Sequence, residues 1–478
     1  MEGISEVQRT HGRRSWLRGD LLATVPGRAL LRASWFPVGI QVVMLGIAIW
    51  LGYVGWNIGR DSSNADLLIL RKTNLTTLAV WGLWWPVMVV IALAFGRAWC
   101  TVCPMELLNR AGYRLAVWTR VPQGELGTWL RAGWFVVIAY VVLQVVVAGM
   151  SMHRVPYLTA YMLLVLGMMA FVTGVIYRRP RSFCHSFCPA KALLAVYGRF
   201  TSLQLDVRDP EVCVDCTTRE CVDPALRDRF DKRSCPSQIA PFNRNPADGC
   251  VLCMQCAKVC PYDNIGVGLA KSTAGSRQSM LLQPYETVFV LTATGLVLHK
   301  VLEEVRVLVP WSKGVPTWLN GFAPDISFGW FEALWFLLLL PLLFWGVTAG
   351  CAYVLGYRGS LTRLLTIAAT AAAPLVALGH VAKGAAKMST WAGYLPGSLR
   401  DPRGLDYLAQ YNEGSTPPGD LAGLPVLGAV MLLLLGGLVW WYRRRLFNDA
   451  PGALAAKRAG LYVMSAALCA SLLAWILL

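Results

Sequence analysis

The sequence predicts an all-α polytopic membrane protein of about nine transmembrane helices, with one small soluble α+β domain inserted after the fourth. Three observations carry this expectation. Of 478 residues, 56% are hydrophobic and only 15% charged, where a soluble chain carries about 25% charged residues. Apolar windows of roughly 20 residues recur along the chain. Ten of the fourteen cysteines crowd between Cys184 and Cys260, in the longest polar stretch. Such a composition excludes intrinsic disorder, a collagen-like fibre and a small disulfide scaffold.

The apolar windows cover about residues 36–57, 75–96, 132–150, 157–177, 285–306, 330–356, 361–382, 422–442 and 459–478. Each is close to the length that crosses a hydrocarbon core of roughly 30 Å. The first is too long for a cleavable signal, and the 35 residues before it carry six Arg. The fifth is interrupted: its apolar run ends at Leu298, and His299, Lys300, Glu303, Glu304 and Arg306 follow. With the N-terminus inside, alternate inside segments hold 33 Lys and Arg and outside segments hold 9. The positive-inside rule then gives an N-in, C-out orientation. The net charge of +17 is thereby a topology signal. Nucleic-acid binding would need a basic stripe on one face, and none is present. The chain divides into an inside segment (1–35), a four-helix core (36–199), the soluble domain (200–283) and a five-helix C-terminal part (284–478). Within the last, the outside loop 383–421 is too long for a connector and is expected to fold onto the outer face or dock a partner.

The sharpest motif is Cys250-Val-Leu-Cys253-Met-Gln-Cys256-Ala-Lys-Val-Cys260-Pro261. This is the C-x2-C-x2-C-x3-C-P run of bacterial ferredoxins. Two-residue spacings wrap a loop so that three thiolates reach one cubane, while the fourth turns towards a neighbouring cluster. Zinc ribbons also use C-x2-C pairs, but the triple Cys with a trailing Cys-Pro favours iron–sulfur. A degenerate copy precedes it: Cys213, Cys216 and Cys221, then Cys235-Pro236 after a thirteen-residue gap. If the halves exchange fourth ligands, one [4Fe–4S] cluster takes Cys213, Cys216, Cys221 and Cys260, and the other takes Cys250, Cys253, Cys256 and Cys235. The stretched first half leaves an altered potential or a [3Fe–4S] centre open.

Four more cysteines form a repeat. Arg97-Ala-Trp-Cys100-Thr-Val-Cys103-Pro104 follows the second span, and Arg181-Ser-Phe-Cys184-His-Ser-Phe-Cys188-Pro189 follows the fourth. Spans one to four thus read as a duplicated helical hairpin. Packing about a pseudo-two-fold axis would gather both pairs at the inner surface. There they would hold a third cluster or form redox-active dithiols, against the plainer reading of buried structural thiols. His185 is a ligand or a polar neighbour. Cys351 and Cys469 lie alone in spans and read as packing residues.

A four-span core with a Cys…Cys-Pro motif after spans two and four, followed by a two-cluster ferredoxin-like domain, resembles the NapH/NosR/CcoG-type membrane polyferredoxins. The resemblance covers about residues 36–265. It implies electron transfer across or along a bacterial inner membrane, or service in metal-centre assembly. It also matches Cys100, Cys103, Cys184 and Cys188 to the family's membrane cysteine pairs. The sequence departs from the family in its first motif, Cys-x2-Cys-Pro where the family has Cys-x3-Cys-Pro. It lacks a periplasmic flavin domain, and it carries five further spans after residue 284.

Within those spans, His299 and His380 fall at matched depth towards the outer face. They are expected to face each other, either as axial ligands of a b-type haem or beside a quinone, with Lys300, Glu303, Glu304, Lys383 and Lys387 nearby. No nucleophile, P-loop or carboxylate pair marks a stand-alone enzyme. The reading is an electron-transfer protein or subunit of a bacterial inner membrane, its ferredoxin-like domain cytoplasmic and its C-terminus periplasmic. Its partners would be membrane lipid and a redox protein on one or both faces. The alternative is a copper-reducing assembly factor, which no Met-rich or His-rich tract supports.

Overall fold

The computed structural model describes residues 17–201, 203–243, 249–270, 281–445 and 451–478. The first sixteen residues of the expected inside segment lie outside the described residues.

The chain is a polytopic, mostly helical membrane protein. Eight of its described helical stretches are long and apolar enough to cross a membrane: Val38–Gly55, Leu75–Trp118, Pro156–Ile176, Pro284–Leu302, Phe328–Val354, Leu361–Ala392, Leu424–Arg444 and Gly452–Leu477. The expected third span is the shorter helix Trp134–Gly149. Its 16 residues rise roughly 24 Å, less than the hydrocarbon core. Before it, the chain kinks at Gly133 with φ 87. That glycine lies flat against Tyr285, whose ring would sit 2.9 Å from an added Cβ.

The second span leaves its axis at Gly96, whose φ of 62 breaks the helix, and again at Cys103, which is extended. The Pro104–Trp118 helix then crosses the C-terminal end of Pro156–Ile176. The crossing is tight because glycines meet backbone. A Cβ on Gly112 would lie 2.1 Å from the Phe171 carbonyl oxygen, and one on Gly174 would lie 2.0 Å from that of Asn109. Asn109 Nδ2 in turn donates to the Ala170 carbonyl at 2.9 Å and to Ser182 Oγ at 3.0 Å. One helix starts just after Cys103 and the other ends shortly before Cys184, so this contact spaces the two cysteine motifs. Gly174→Ala is expected to destabilise the protein by about 1–3 kcal/mol through overpacking. Thermal unfolding in detergent measures it, and an unchanged midpoint would contradict the close approach.

The seventh span overshoots its expected end at residue 382. Leu361–Ala392 is one helix of 32 residues, roughly 48 Å long, and projects beyond a bilayer. The rest of the 383–421 segment folds back as Leu395–Arg400 and Leu405–Asn412. It docks on the Asn64–Thr73 helix: Asn74 Nδ2 donates to the Arg403 carbonyl at 3.0 Å, and the Leu75 N–H to that of Pro402 at 2.9 Å. Cys469 is half-buried at the edge of the main core, but Cys351 is exposed on its helix and packs less than expected.

The soluble part contains a three-stranded antiparallel sheet ordered β1–β3–β2. Its strands are β1 (Leu17–Arg18), β2 (Leu203–Val207) and β3 (Ile265–Ala270). β2 pairs with β3 in the register Leu205↔Val267, so alternate residues of both face one core with Leu22, Phe36, Leu252 and Met254. This corrects the boundary at residue 200, since residues 17–36 belong to the same unit. β1 covers an edge of β3 that would otherwise stay unpaired. Lys258 anchors the segment further, donating to the Ala33 and Phe36 carbonyls at 2.6 Å each and to Asp231 at 2.8 Å.

Candidate metal centres

Cys250 and Cys253 lie on a loop leading into the short Gln255–Val259 helix, and Cys256 lies in the first turn of that helix. Leu252 and Met254 adopt φ of 57 and 60 there, a left-handed conformation that bulky side chains avoid. Such curling turns successive backbone N–H groups inward. Cys260 closes the helix at φ −65, ψ 113, extended as a residue before proline must be. Its sulfur therefore leaves the first three.

Cys260 joins Cys213, Cys216 and Cys221 instead, and the four line one small cavity with Phe242 and Ile265. Asn264 ties two of these sulfurs. Its backbone N–H donates to Cys260 Sγ at 3.4 Å and its Nδ2 to Cys213 Sγ at 3.3 Å. Cys235 goes the other way. It is an electrostatic neighbour of Cys250, Cys253 and Cys256, and it accepts from the Ile239 N–H at 3.5 Å. The thirteen-residue insertion does not separate its ends, because the Cys235 N–H donates to the Cys221 carbonyl at 2.8 Å. The eight thiols thus form two groups of four, each taking one member from the other half.

Burial, then the neighbouring thiols, push Cys221 up to about 12. Burial, then Cys235, push Cys253 to about 12. Four thiols so placed ionise together only around a cation. The donor set suits iron–sulfur clusters, for which four thiolates with N–H groups aimed at sulfur are the ordinary coordination.

The other four cysteines also converge. Cys184 and Cys188 both feel Cys100, and Cys103 feels Cys184 and Cys188. The two motifs differ by one residue, and the fold absorbs it. Cys100 sits in an ordinary helical turn, Trp99–Val102, whereas Cys184 sits in a wider π-turn, Phe183–Phe187. A π-turn accommodates one extra residue, so Cys103 and Cys188 end their turns alike, at φ −68, ψ 129 and φ −69, ψ 116. Burial pushes Cys184 up to about 11, and burial with Cys184 and Cys100 pushes Cys188 to about 12. His185 is a polar neighbour: its Nδ1 lies 3.3 Å from Ser186 Oγ. Burial and Lys191 push it down to about 3, which keeps it neutral.

The three groups stand in sequence. Cys256 feels Cys221, and Arg181 feels Cys184, Cys100 and Cys253. The soluble loop docks directly on the membrane motif: the Thr101 hydroxyl donates to the Val251 carbonyl, and Arg97 Nη1 to that of Gly249 at 3.3 Å. Arg181 Nη1 donates to Ser237 Oγ at 2.8 Å. The repeated Arg of each motif therefore clamps the soluble domain. Sequence reasoning missed that role, although the Arg recurs three residues before each Cys. It also missed the buried pair Glu106–Arg233, 3.0 Å apart, which nothing local announces.

The histidine expectation is not met. Their helices do cross at matched depth, where Gly379 receives Val297, but a Cβ on Gly379 would lie 2.4 Å from that side chain. Contact so close leaves no flat slot for a macrocycle. The rings take different partners. His299 Nε2 bonds Glu332 at 3.0 Å and its ring stacks on Phe336. His380 Nδ1 meets the Tyr197 hydroxyl at 2.7 Å, with Trp85 beside it. His299 is fully buried and His380 nearly so. Lys300 bridges Glu303 and Glu332 at 2.8 Å each, and Lys383 pairs with Glu304. Lys387 lies over the Trp391 ring, 4.4 Å from its centroid. Lys300 and Lys383 thus pair with the acidic groups, whereas Lys387 meets an aromatic face.

No protein-family model matches the chain, and no solved structure matches it. An uncharacterized protein of Methanocaldococcus jannaschii is 31% identical over 179 residues, 36% of this chain and 64% of that protein. The chain thus spans somewhat less than two thirds of that relative's length.

Proposed function

We propose that this protein is an iron–sulfur electron-transfer protein of the NapH/NosR/CcoG polyferredoxin type, seated in a bacterial inner membrane with its soluble domain cytoplasmic. Two [4Fe–4S] clusters would be held by Cys213, Cys216, Cys221 and Cys260 and by Cys235, Cys250, Cys253 and Cys256. Cys100, Cys103, Cys184 and Cys188 would form a third redox site. Bound clusters would supply one-electron transfer. The observation that carries this reading is the exchange of Cys260 and Cys235 between the halves, which zinc ribbons have no need of. The chain's own contribution is to hold the three thiol groups in a row, with N–H donors on the sulfurs and the soluble loop clamped to the membrane motifs. Such a row suits passage from a cytoplasmic donor to a membrane quinone or an acceptor on the far face.

Reconstituted into liposomes with ferricyanide trapped inside, or with a quinone analogue in the bilayer, the dithionite-reduced protein is expected to be reoxidised. The double variant C103S/C188S is expected to slow this by about tenfold or more while leaving the soluble clusters in place. Reoxidation by neither acceptor would contradict a membrane relay.

A further inference from the structure

We propose that the cavity between the soluble domain and the membrane core is a binding site for a phosphate-bearing anion. The cavity measures about 500 Å³, within the range of small-molecule sites. Arg97, Arg131, Arg179, Arg181 and Lys191 line it. They come from separate segments of the chain, and the two motif arginines Arg97 and Arg181 enter from the two halves of the repeat. Glu286 is the carboxylate in its wall, and it is engaged by Arg199. Among the described residues, none of the five cations has a carboxylate within salt-bridge distance, although Glu125 lies in the neighbourhood of Arg179, Glu106 in that of Arg181 and Glu286 in that of Lys191.

Arg181 makes the case most sharply. It is only 8% exposed. Its Nη1 donates to Ser237, but Nε and Nη2 are buried with no hydrogen-bond acceptor, and Arg97 Nε is in the same condition. Cys184 and Cys100 also face Arg181 and offer sulfur acceptors. Buried guanidinium donors left unfilled are unfavourable, and the guanidinium fork matches phosphate oxygens bidentately. Five converging positive charges suit a group carrying more than one negative charge. The cavity also lies where the second and fourth spans leave the membrane. Two sources of that chemistry can therefore reach it: a soluble phosphate compound and the headgroup of an anionic lipid. Cys184 and Cys250 also line the cavity, so the site adjoins two of the three thiol groups.

The test uses full-length protein in phosphatidylcholine nanodiscs, titrated calorimetrically with inorganic pyrophosphate. Arg131 is exposed and Arg179 half-buried, so R131Q/R179Q should fold, with an unchanged unfolding midpoint as the control. Saturable binding, weakened about tenfold or more by the double substitution, is the expected result. A second arm dopes the discs with phosphatidylglycerol. If that lipid competes with pyrophosphate and stays bound in native mass spectrometry of the wild type but not of the variant, the ligand is a headgroup. If it fails to compete, the ligand is a soluble phosphate compound. Absence of both pyrophosphate binding and lipid retention, or binding untouched by R131Q/R179Q, would overturn the proposal.

Discussion

Replacing Cys260 by Ser is expected to cost the full-length protein about four iron atoms, lost from the group that contains Cys213, Cys216 and Cys221. Sequence proximity argues the opposite, since Cys260 is only four residues from Cys256. Two contacts argue for the exchange: Asn264 bonds both Cys260 and Cys213, and the short helix ends in an extended Cys-Pro turn that points the sulfur away. Pairs of substitutions separate the two cases. C216S/C260S should lose no more iron than either single variant, because both strike one group. C253S/C260S should lose about twice as much. Analysis of iron and acid-labile sulfide per protein decides between them. The mirror experiment, C235S, should spare the Cys213 group and remove the other.

The second large effect is on docking. Arg233→Met is expected to destabilise the protein by about 3–5 kcal/mol, because it strands a buried carboxylate. Glu106 lies at the start of the Pro104–Trp118 helix and is 3% exposed; Arg233 belongs to the soluble domain and is 6% exposed. Glu106 Oε1 takes Arg233 at 3.0 Å, and Oε2 accepts from Gln41 Nε2 at 2.7 Å. One carboxylate thus joins the first span, the post-Cys103 helix and the soluble domain. Limited proteolysis should cut the soluble domain faster in R233M. E106Q/R233M should recover most of the loss, since no lone charge remains buried. Equal sensitivity of the wild type and R233M would contradict the pair's role.

What could be read in the sequence was what local rules govern. Thiol spacing and Cys-Pro turns are local features, so the two groups of four thiols in the soluble domain were legible, Cys221 included, despite its irregular gap. Apolar length marked the spans, although Trp134–Gly149 is shorter than its window. The repeat of Arg-x-aromatic-Cys implied convergence of Cys100, Cys103, Cys184 and Cys188, and the structure brings them together. Illegible features depend on distant partners. β1 is two residues long and exists only because β3 offers an edge. The helix from Leu361 runs past its apolar stretch because its polar end packs on the loop that follows it, where Ser389 bonds Ala422. His299 and His380 share a depth, as hydropathy suggested, but the direction in which a ring points is settled by Glu332 and Tyr197, on other helices. Arg233 carries no mark of its partner.

Two iron–sulfur clusters on the eight thiols of the soluble domain underlie the function proposed for this protein. The most direct measurement is metal and acid-labile sulfide analysis of full-length protein purified without oxygen, with electron paramagnetic resonance of the dithionite-reduced sample. At least about eight irons and eight sulfides per chain, with a reduced iron–sulfur signal, is the expected result. Stoichiometric zinc, with no sulfide and no paramagnetic signal, would contradict it.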